Sequence, residues 1–207
     1  MKKYELIETD FKILLGVKVF RIRALRQINR YNINVGDLGG YIEKESNLDQ
    51  ESTSWVGGDA IVYGNVRVSG NVRVYGNAQV YGDAYVYGNA QVSDNVRVSD
   101  NAQVYGNAQV SGNVRVSGDA QVSGDAKINK LHEVKNVTNL KYNLTSLPKG
   151  IQVGCHFRTL KEWKEQHVKL GVENGMSPEL SKEYYRLMVA LRRVQKQEAK
   201  ESQTCLK

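Results

Sequence analysis

The chain has 207 residues, 41% of them hydrophobic and 25% charged, with a formal net charge of +7, 19 Gly and only 2 Pro. That balance excludes a disordered chain, and no stretch approaches the ~18 apolar residues of a membrane span. The opening Met1-Lys2-Lys3-Tyr4-Glu5 lacks an apolar signal core, and two cysteines, Cys155 and Cys205, are too few for a disulfide framework. A cytoplasmic location with no membrane partner is therefore expected.

The positive charge is uneven. Residues 1–50 carry 9 basic and 7 acidic side chains, residues 51–127 carry 5 and 7, and residues 128–207 carry 15 and 8. The excess sits in the last segment, and the middle is mildly acidic.

In chain order, Phe11-Lys12-Ile13-Leu14-Leu15, Gly16 and residues 17–25 read as two strands about a turn. Arg21 and Arg23 stand two apart and share a strand face, with Arg26 close behind. Together with Tyr41 they are a candidate anion- or ligand-binding group, because guanidinium forks grip phosphate and carboxylate. The competing reading is a solvated charged face. Gly39-Gly40 reads first as a tight turn. Gly39-Gly40-Tyr41-Ile42 and Leu48 then lead towards a repeat, whose register breaks before Ser54-Trp55-Val56.

Across residues 56–127 twelve hexapeptides of the form V-x-G-N/D-A/V-x run without insertion. In Ala78-Gln79-Val80-Tyr81 apolar and polar residues alternate, the mark of a strand with one buried face. Gly82-Asp83 is corner chemistry, since Gly, Asp and Asn tolerate positive φ. A strand this short cannot bury its face alone, so successive copies must stack into one core. Outward positions carry Tyr63, Tyr75, Tyr81, Tyr85, Tyr87 and Tyr105, together with Arg67, Arg73, Arg97 and Arg115. Tyr and Arg are favoured at interfaces, so the tyrosines are candidate interface residues. A plain solvated β surface would also carry them.

After Ile128 the pattern changes. Residues 137–147 and Ile151-Gln152-Val153 flank Pro148-Lys149-Gly150, which predicts a hairpin. Thr159-Leu160-Lys161-Glu162 fits a capping box that opens a helix ending before Gly171. Ser177-Pro178-Glu179 opens a second helix. Its Leu180, Tyr184, Leu187, Leu191 and Val194 fall at 4-3-4-3 spacing, a narrow seam. The seam either packs onto its own hairpin or forms a subunit interface, with the neighbouring Arg192 and Arg193 in a basic end. The expected organisation is an N-terminal β cap leading into the solenoid (1–53), a repeat domain (54–129) and a C-terminal hairpin with two helices (130–207).

The hexapeptides resemble the left-handed parallel β-helix family, whose coils are triangular with three hexapeptides each. That resemblance implies about four coils and a homo-oligomer, typically a trimer. Phe20-Arg21-Ile22-Arg23-Ala24-Leu25, Gly36-Asp37-Leu38-Gly39-Gly40-Tyr41-Ile42-Glu43, the repeat, and Ile151-Gln152-Val153-Gly154-Cys155 with Trp163 resemble small hexapeptide-repeat proteins of phages and prophages. Those proteins mostly have no assigned activity.

Hexapeptide β-helices include acyltransferases with a histidine base and zinc carbonic anhydrases. Here His132, His156 and His167 all lie beyond the repeat, so its regular coils supply neither a histidine base nor three zinc ligands. Adjacent Cys155 and His156 on a strand would face opposite ways. No catalytic residue, metal or cofactor is expected. The leading expectation is a non-catalytic binding protein of phage type. It would engage a host protein or sequester a nucleotide-like signal, and so act as a host-defence inhibitor. The alternatives are an atypical acyltransferase and a nucleic-acid-binding protein that uses the basic C-terminal helix.

Overall fold

Strands β1 (Tyr4–Leu14) and β2 (Val17–Ala24) form an antiparallel hairpin in the computed structural model. Leu15 and Gly16 turn it with φ of 48° and 84°. Strand β3 (Leu38–Ile42) runs antiparallel to β2. Thirteen two-residue strands follow at six-residue intervals, from β4 (Trp55–Val56) to β16 (Lys127–Ile128). The structure describes residues 2–124, 126–128, 135–137, 142, 144–147, 150–154 and 156–204. His132, Cys155, Cys205 and the Pro148-Lys149 turn expected from the sequence lie outside them. The chain divides into two units, Met1–Glu133 and Val134–Lys207.

Each solenoid strand pairs in parallel with the strand three hexapeptides away: Gln79 with Arg97, Tyr85 with Gln103, Gln91 with Gln109. One turn is therefore 18 residues, and three sheets form its faces. Backbone amides bond to the next turn along the whole stack, as in Gln79 N to Val96 O and Tyr85 N to Ala102 O, both 2.9 Å. Inside, Val80, Val86 and Val92 are fully buried, with Ala78, Ala84 and Ala90 keeping the cross-section narrow. Each buried Val contributes about 1.5–3 kcal/mol.

The corners set what the sequence tolerates. Gly82 has a φ of 77°, and a Cβ there would lie 2.9 Å from Asp100 N. Asp94 and Asp100 take the same left-handed shape at φ of 61° and 60°. Their carboxylates accept the Gly112 and Gly118 amides of the next turn at 2.8 and 2.9 Å. Asparagines beside the corners form ladders, Asn71 to Asn89 to Asn107 at 2.9 and 3.0 Å. Identical amides stacked in register satisfy one another.

The solenoid has about five turns. Twelve hexapeptides account for four of them. The fifth comes from the N-terminal segment, where Ile42 pairs with Val62 and Leu48 bridges to Val68. Both offsets are 20 residues, whereas Trp55 pairs with Arg73 at 18. Two extra residues before Trp55 thus hide this turn from a hexapeptide reading. Gly39 and Gly40 lie within β3 and do not make the expected turn. Cβ atoms there would meet Val56 O at 2.6 Å and Ala60 O at 2.5 Å, so their purpose is close approach of β3 to the coil beneath.

Polar side chains close the first turn. Lys3 is fully buried. Its ammonium donates to the carbonyls of Asp49, Ser52 (3.2 Å) and Ser54 (2.8 Å). The Tyr4 hydroxyl lies 2.9 and 2.8 Å from the Glu45 and Leu48 carbonyls. These contacts satisfy backbone oxygens that no further turn covers.

In the second unit β17 (Lys135–Val137), β18 (Leu144–Leu147), β19 (Gly150–Val153) and β20 (His156–Arg158) form an antiparallel sheet in that order. The expected hairpin is β18–β19, and residues 137–147 hold parts of two strands. Helix α1 (Leu160–Glu173) opens with the capping box, Thr159 Oγ1 accepting from Glu162 N at 3.2 Å. It continues past Gly171 and stops before Gly175, at φ 75°. Gly171 is a packing residue, because a Cβ there would fall 1.9 Å from Ser181 Oγ on α2 (Pro178–Thr204). Tyr184 and Met188 of α2 are buried with Leu144, Ile151, Val153 and Trp163, with Leu180 and Leu191 packed against them. The α2 stripe thus packs on its own sheet and α1. Leu187, expected in the seam, is 38% exposed because Met188 takes the inward position.

Burial pushes the Lys3 ammonium down from 10.5 to about 8. Between those values the unfolded chain holds the extra proton, so stability should rise with pH from about 8 to 10.5, by up to ~3 kcal/mol. Burial also pushes the Tyr4 hydroxyl up from 10.0. The unfolded phenol ionises first, which opposes the gain above pH 10. Urea titrations across this range check both signs, and Lys3→Met should lose the rise together with about 2–4 kcal/mol of stability at pH 7. In the second unit Gly171→Ala should cost about 1–3 kcal/mol, read from the thermal transition of that unit.

Candidate functional site

Three clusters hold the residues that sequence reasoning singled out. The first lies on the outer face of the cap. Arg21 Nη2 donates to Tyr41 Oη at 2.7 Å and Nη1 to Gly39 O at 2.9 Å. Its Nε stands 3.1 Å from Asp10 Oδ2, an ion-pair distance without hydrogen-bond alignment. Asp59 Oδ1 lies 3.8 Å from Nη2. Tyr41 is buried, with the Arg21 guanidinium 4.4 Å and the Lys12 ammonium 4.0 Å from its ring centre. Arg23 pairs with Glu5, its Nε 2.7 Å from Oε1. Arg26 donates to the Gln50 and Glu51 carbonyls, both at 3.0 Å. Arg21 and Tyr41 do come together, but Arg23 and Arg26 have separate partners. An anion here would compete with Asp10, Glu5 and backbone oxygens already in place.

The tyrosines of the coils are shared among three corners and one face. Tyr63 stacks on Tyr81 with ring centres 5.3 Å apart, and Tyr87 on Tyr105 at 4.9 Å. Tyr85 stands on a strand between Arg67 and Gln103. Each stack joins residues 18 apart, so the solenoid register creates it. Burial raises the Tyr63 and Tyr87 hydroxyls above 10.0, helped by the stacked phenols.

Tyr75 belongs to a further arrangement that the repeat alone did not reveal. Arg73 lies on β7 between Trp55 and Gln91 of the neighbouring turns. Its guanidinium carbon is 4.7 Å from the Tyr75 ring centre and 5.5 Å from that of Tyr31. Tyr31 comes from the 3-10 turn Asn29–Tyr31, closed by the Ile28–Ile33 bridge. Its hydroxyl donates to Asn71 O at 2.5 Å. Thr53 Oγ1 donates to Asn71 Oδ1 at 2.7 Å, so a ladder of the solenoid fixes the aromatic wall. Arg30 adds a second guanidinium 6.0 Å from Tyr31.

The Arg73 Nε is buried without a hydrogen-bond partner, as are those of Arg21 and Arg26. Arg73 differs from Arg21 in that among the described residues no carboxylate pairs with it. Two aromatic rings cover the cation and leave its charge uncompensated. Such a group is already ordered and partly desolvated, so a carboxylate meeting its edge gains a charge-assisted fork at low entropic cost. The sequence places Arg73 and Tyr75 at outward positions of the repeat. Nothing in the hexapeptide register connects either to Tyr31.

The third cluster is a small cleft in the second unit, lined by Tyr142, His156, Trp163, His167, Asn174 and Tyr184 among others. His167 Nδ1 donates to Trp163 O at 2.9 Å. Trp163 Nε1 donates to Ile151 O at 2.8 Å and the Tyr142 hydroxyl to Asn174 O at 2.7 Å. These three side chains of the wall are thus engaged with backbone oxygens. On α2, Arg192 turns inward to donate to Leu147 O at 2.6 Å, and burial lowers its pKa. Arg193 is exposed. Among the described residues no three His, Cys, Asp or Glu side chains gather as metal ligands would, and no helix is long and apolar enough to cross a membrane.

Five overlapping segments of the solenoid, residues 66–80, 78–93, 90–106, 102–118 and 108–124, are similar to the YdcK beta solenoid repeat. No curated protein matches the chain.

The two arginines should respond differently to truncation. Arg21→Ala should destabilise the first unit by about 1–3 kcal/mol, since it strands Tyr41, Asp10 and Gly39 O. Arg73→Ala should cost no more than about 1 kcal/mol. Urea midpoints of the two variants make the comparison.

Proposed function

We propose that this protein is a non-catalytic binding protein. The solenoid acts as a rigid frame that offers Arg73, framed by Tyr31 and Tyr75, to an acidic side chain of a protein partner. The observation that carries this reading is the uncompensated guanidinium held between two rings. A solvated surface arginine would instead be free to move, and a structural one would have a carboxylate or carbonyl, as Arg21 and Arg26 do. Arg and Tyr together are the residue types that concentrate binding energy at protein interfaces. A rigid frame lowers the ordering cost of association.

The resemblance to small phage and prophage proteins makes a bacterial host factor the partner class to seek, and inhibition of host defence the outcome. A nucleotide signal is the weaker ligand choice, because the Arg21 group already holds Asp10 and Asp59. The C-terminal helix is the weaker nucleic-acid surface, because Arg192 is committed to Leu147 O.

Affinity capture from bacterial lysate with wild type, Arg73→Ala and Tyr31→Ala tests the proposal. A specific protein should be retained by wild type and weakened about tenfold or more by either variant. Arg97→Ala, an exposed arginine on another face, should leave capture intact. Rising salt should weaken the wild-type complex. Equal capture by wild type and Arg73→Ala, or no captured protein, would overturn it.

A further inference from the structure

The small cleft of the second unit is a gap in its core. Trp163, Met176, Tyr184 and Met188 line it and are otherwise buried. Three further lining residues, Gly154, Gly171 and Ser181, carry little or no side chain to fill it. An unfilled gap forfeits dispersion contacts, which a guest of matching shape restores. The two methionines suit a planar guest, because a thioether packs well on an aromatic ring and its side chain adapts in shape. The size of the cleft limits that guest to a single ring.

Polar groups decide what the ring carries. Among the described lining residues none is acidic, and two are histidines, His156 and His167. His167 Nδ1 meets two carbonyls of its own helix, Trp163 O at 2.9 Å and Lys164 O at 3.1 Å. Nε2 is therefore the nitrogen left for a ligand. It accepts a hydrogen bond when the imidazole is neutral and donates one when it is charged. His156, opposite Val153 on β20, has no side-chain hydrogen bond among the described residues and takes either role. A hydroxyl donates and accepts at once, so it serves both imidazoles in either state. A carboxylate only accepts, and needs His167 charged. We propose that the cleft binds a single-ring phenol, its ring against Trp163, Met176 and Met188 and its hydroxyl between His156 and His167.

This site is independent of Arg73. Titration of the full chain with phenol, followed by proton–nitrogen NMR, tests it. The chain has two tryptophans, so two indole N–H signals report. That of Trp163 should shift with a Kd of about 1 mM or tighter. That of Trp55, buried in the first unit, should stay in place. Toluene matches phenol in size but lacks the hydroxyl, and should bind about fivefold more weakly or worse. Benzoate should also bind more weakly than phenol. His167→Leu and His156→Leu should each reduce the preference for phenol over toluene. Lys182→Ala, exposed on α2, should leave it intact. Circular dichroism should show that each variant is folded, and the three ligands on wild type make the comparison without them. No shift of Trp163, toluene or benzoate binding as tightly as phenol, or a phenol preference unchanged in both histidine variants would overturn the proposal.

Discussion

Hydrogen bonding between residues 18 apart is the constraint on which the first unit depends. Each turn takes its backbone partners from the turn beside it, so the three corners of every turn must repeat the same geometry. That requirement explains why left-handed corner positions hold Gly, or an Asp whose carboxylate accepts the next turn's amide. It also explains why any two side chains 18 apart become neighbours. The stacked tyrosines and the asparagine ladders follow from register, without a separate cause.

A stack held this way has an end that cannot satisfy itself. At the N-terminal end the chain answers with long polar side chains. Lys3, Tyr4 and Arg26 reach carbonyls between Glu45 and Ser54. Burying an ammonium without a carboxylate is costly. The three carbonyls around Lys3 and the nearby Asp49 and Glu51 carboxylates offset part of that cost, and burial still lowers its pKa. The hairpin β1–β2 continues one face of the solenoid and so moves the open edge outward to β1. The edge is displaced, and an apolar strip is left beside it.

The same frame separates structural from available charge. Arg21, Arg23 and Arg26 look alike in sequence and stand close together, yet each is used to fasten the cap. Arg73 looks like any outward residue of the repeat, yet it lies against two aromatic rings with no carboxylate paired to it among the described residues. The difference lies in what the N-terminal segment lays over the solenoid. Asp10 and Tyr41 come to Arg21, and the ring of Tyr31 comes to Arg73.

Local chemistry is what the sequence could state unaided. Alternation in Gln79-Val80 requires a one-sided strand, Gly82 a corner, Thr159 and Glu162 a helix start, and Leu15-Gly16 a hairpin turn. Those features depend on neighbours within a few residues, where sequence spacing and physical distance agree. The fifth turn was hidden because two inserted residues shift Ile42 and Leu48 out of the hexapeptide count. Gly171 read as a helix end because its role depends on Ser181 of another helix. What the α2 seam packs against stays open in the sequence, and its Leu187 gives way to Met188 because heptad spacing alone does not say which of the two meets a core. The Arg73 group was illegible for the same reason, since Tyr31 is 42 residues away and approaches only after the cap has folded onto the coils. The repeat determined the solenoid. Which charges it spends and which it leaves open was decided by contacts between distant segments, because those depend on packing that no local pattern encodes.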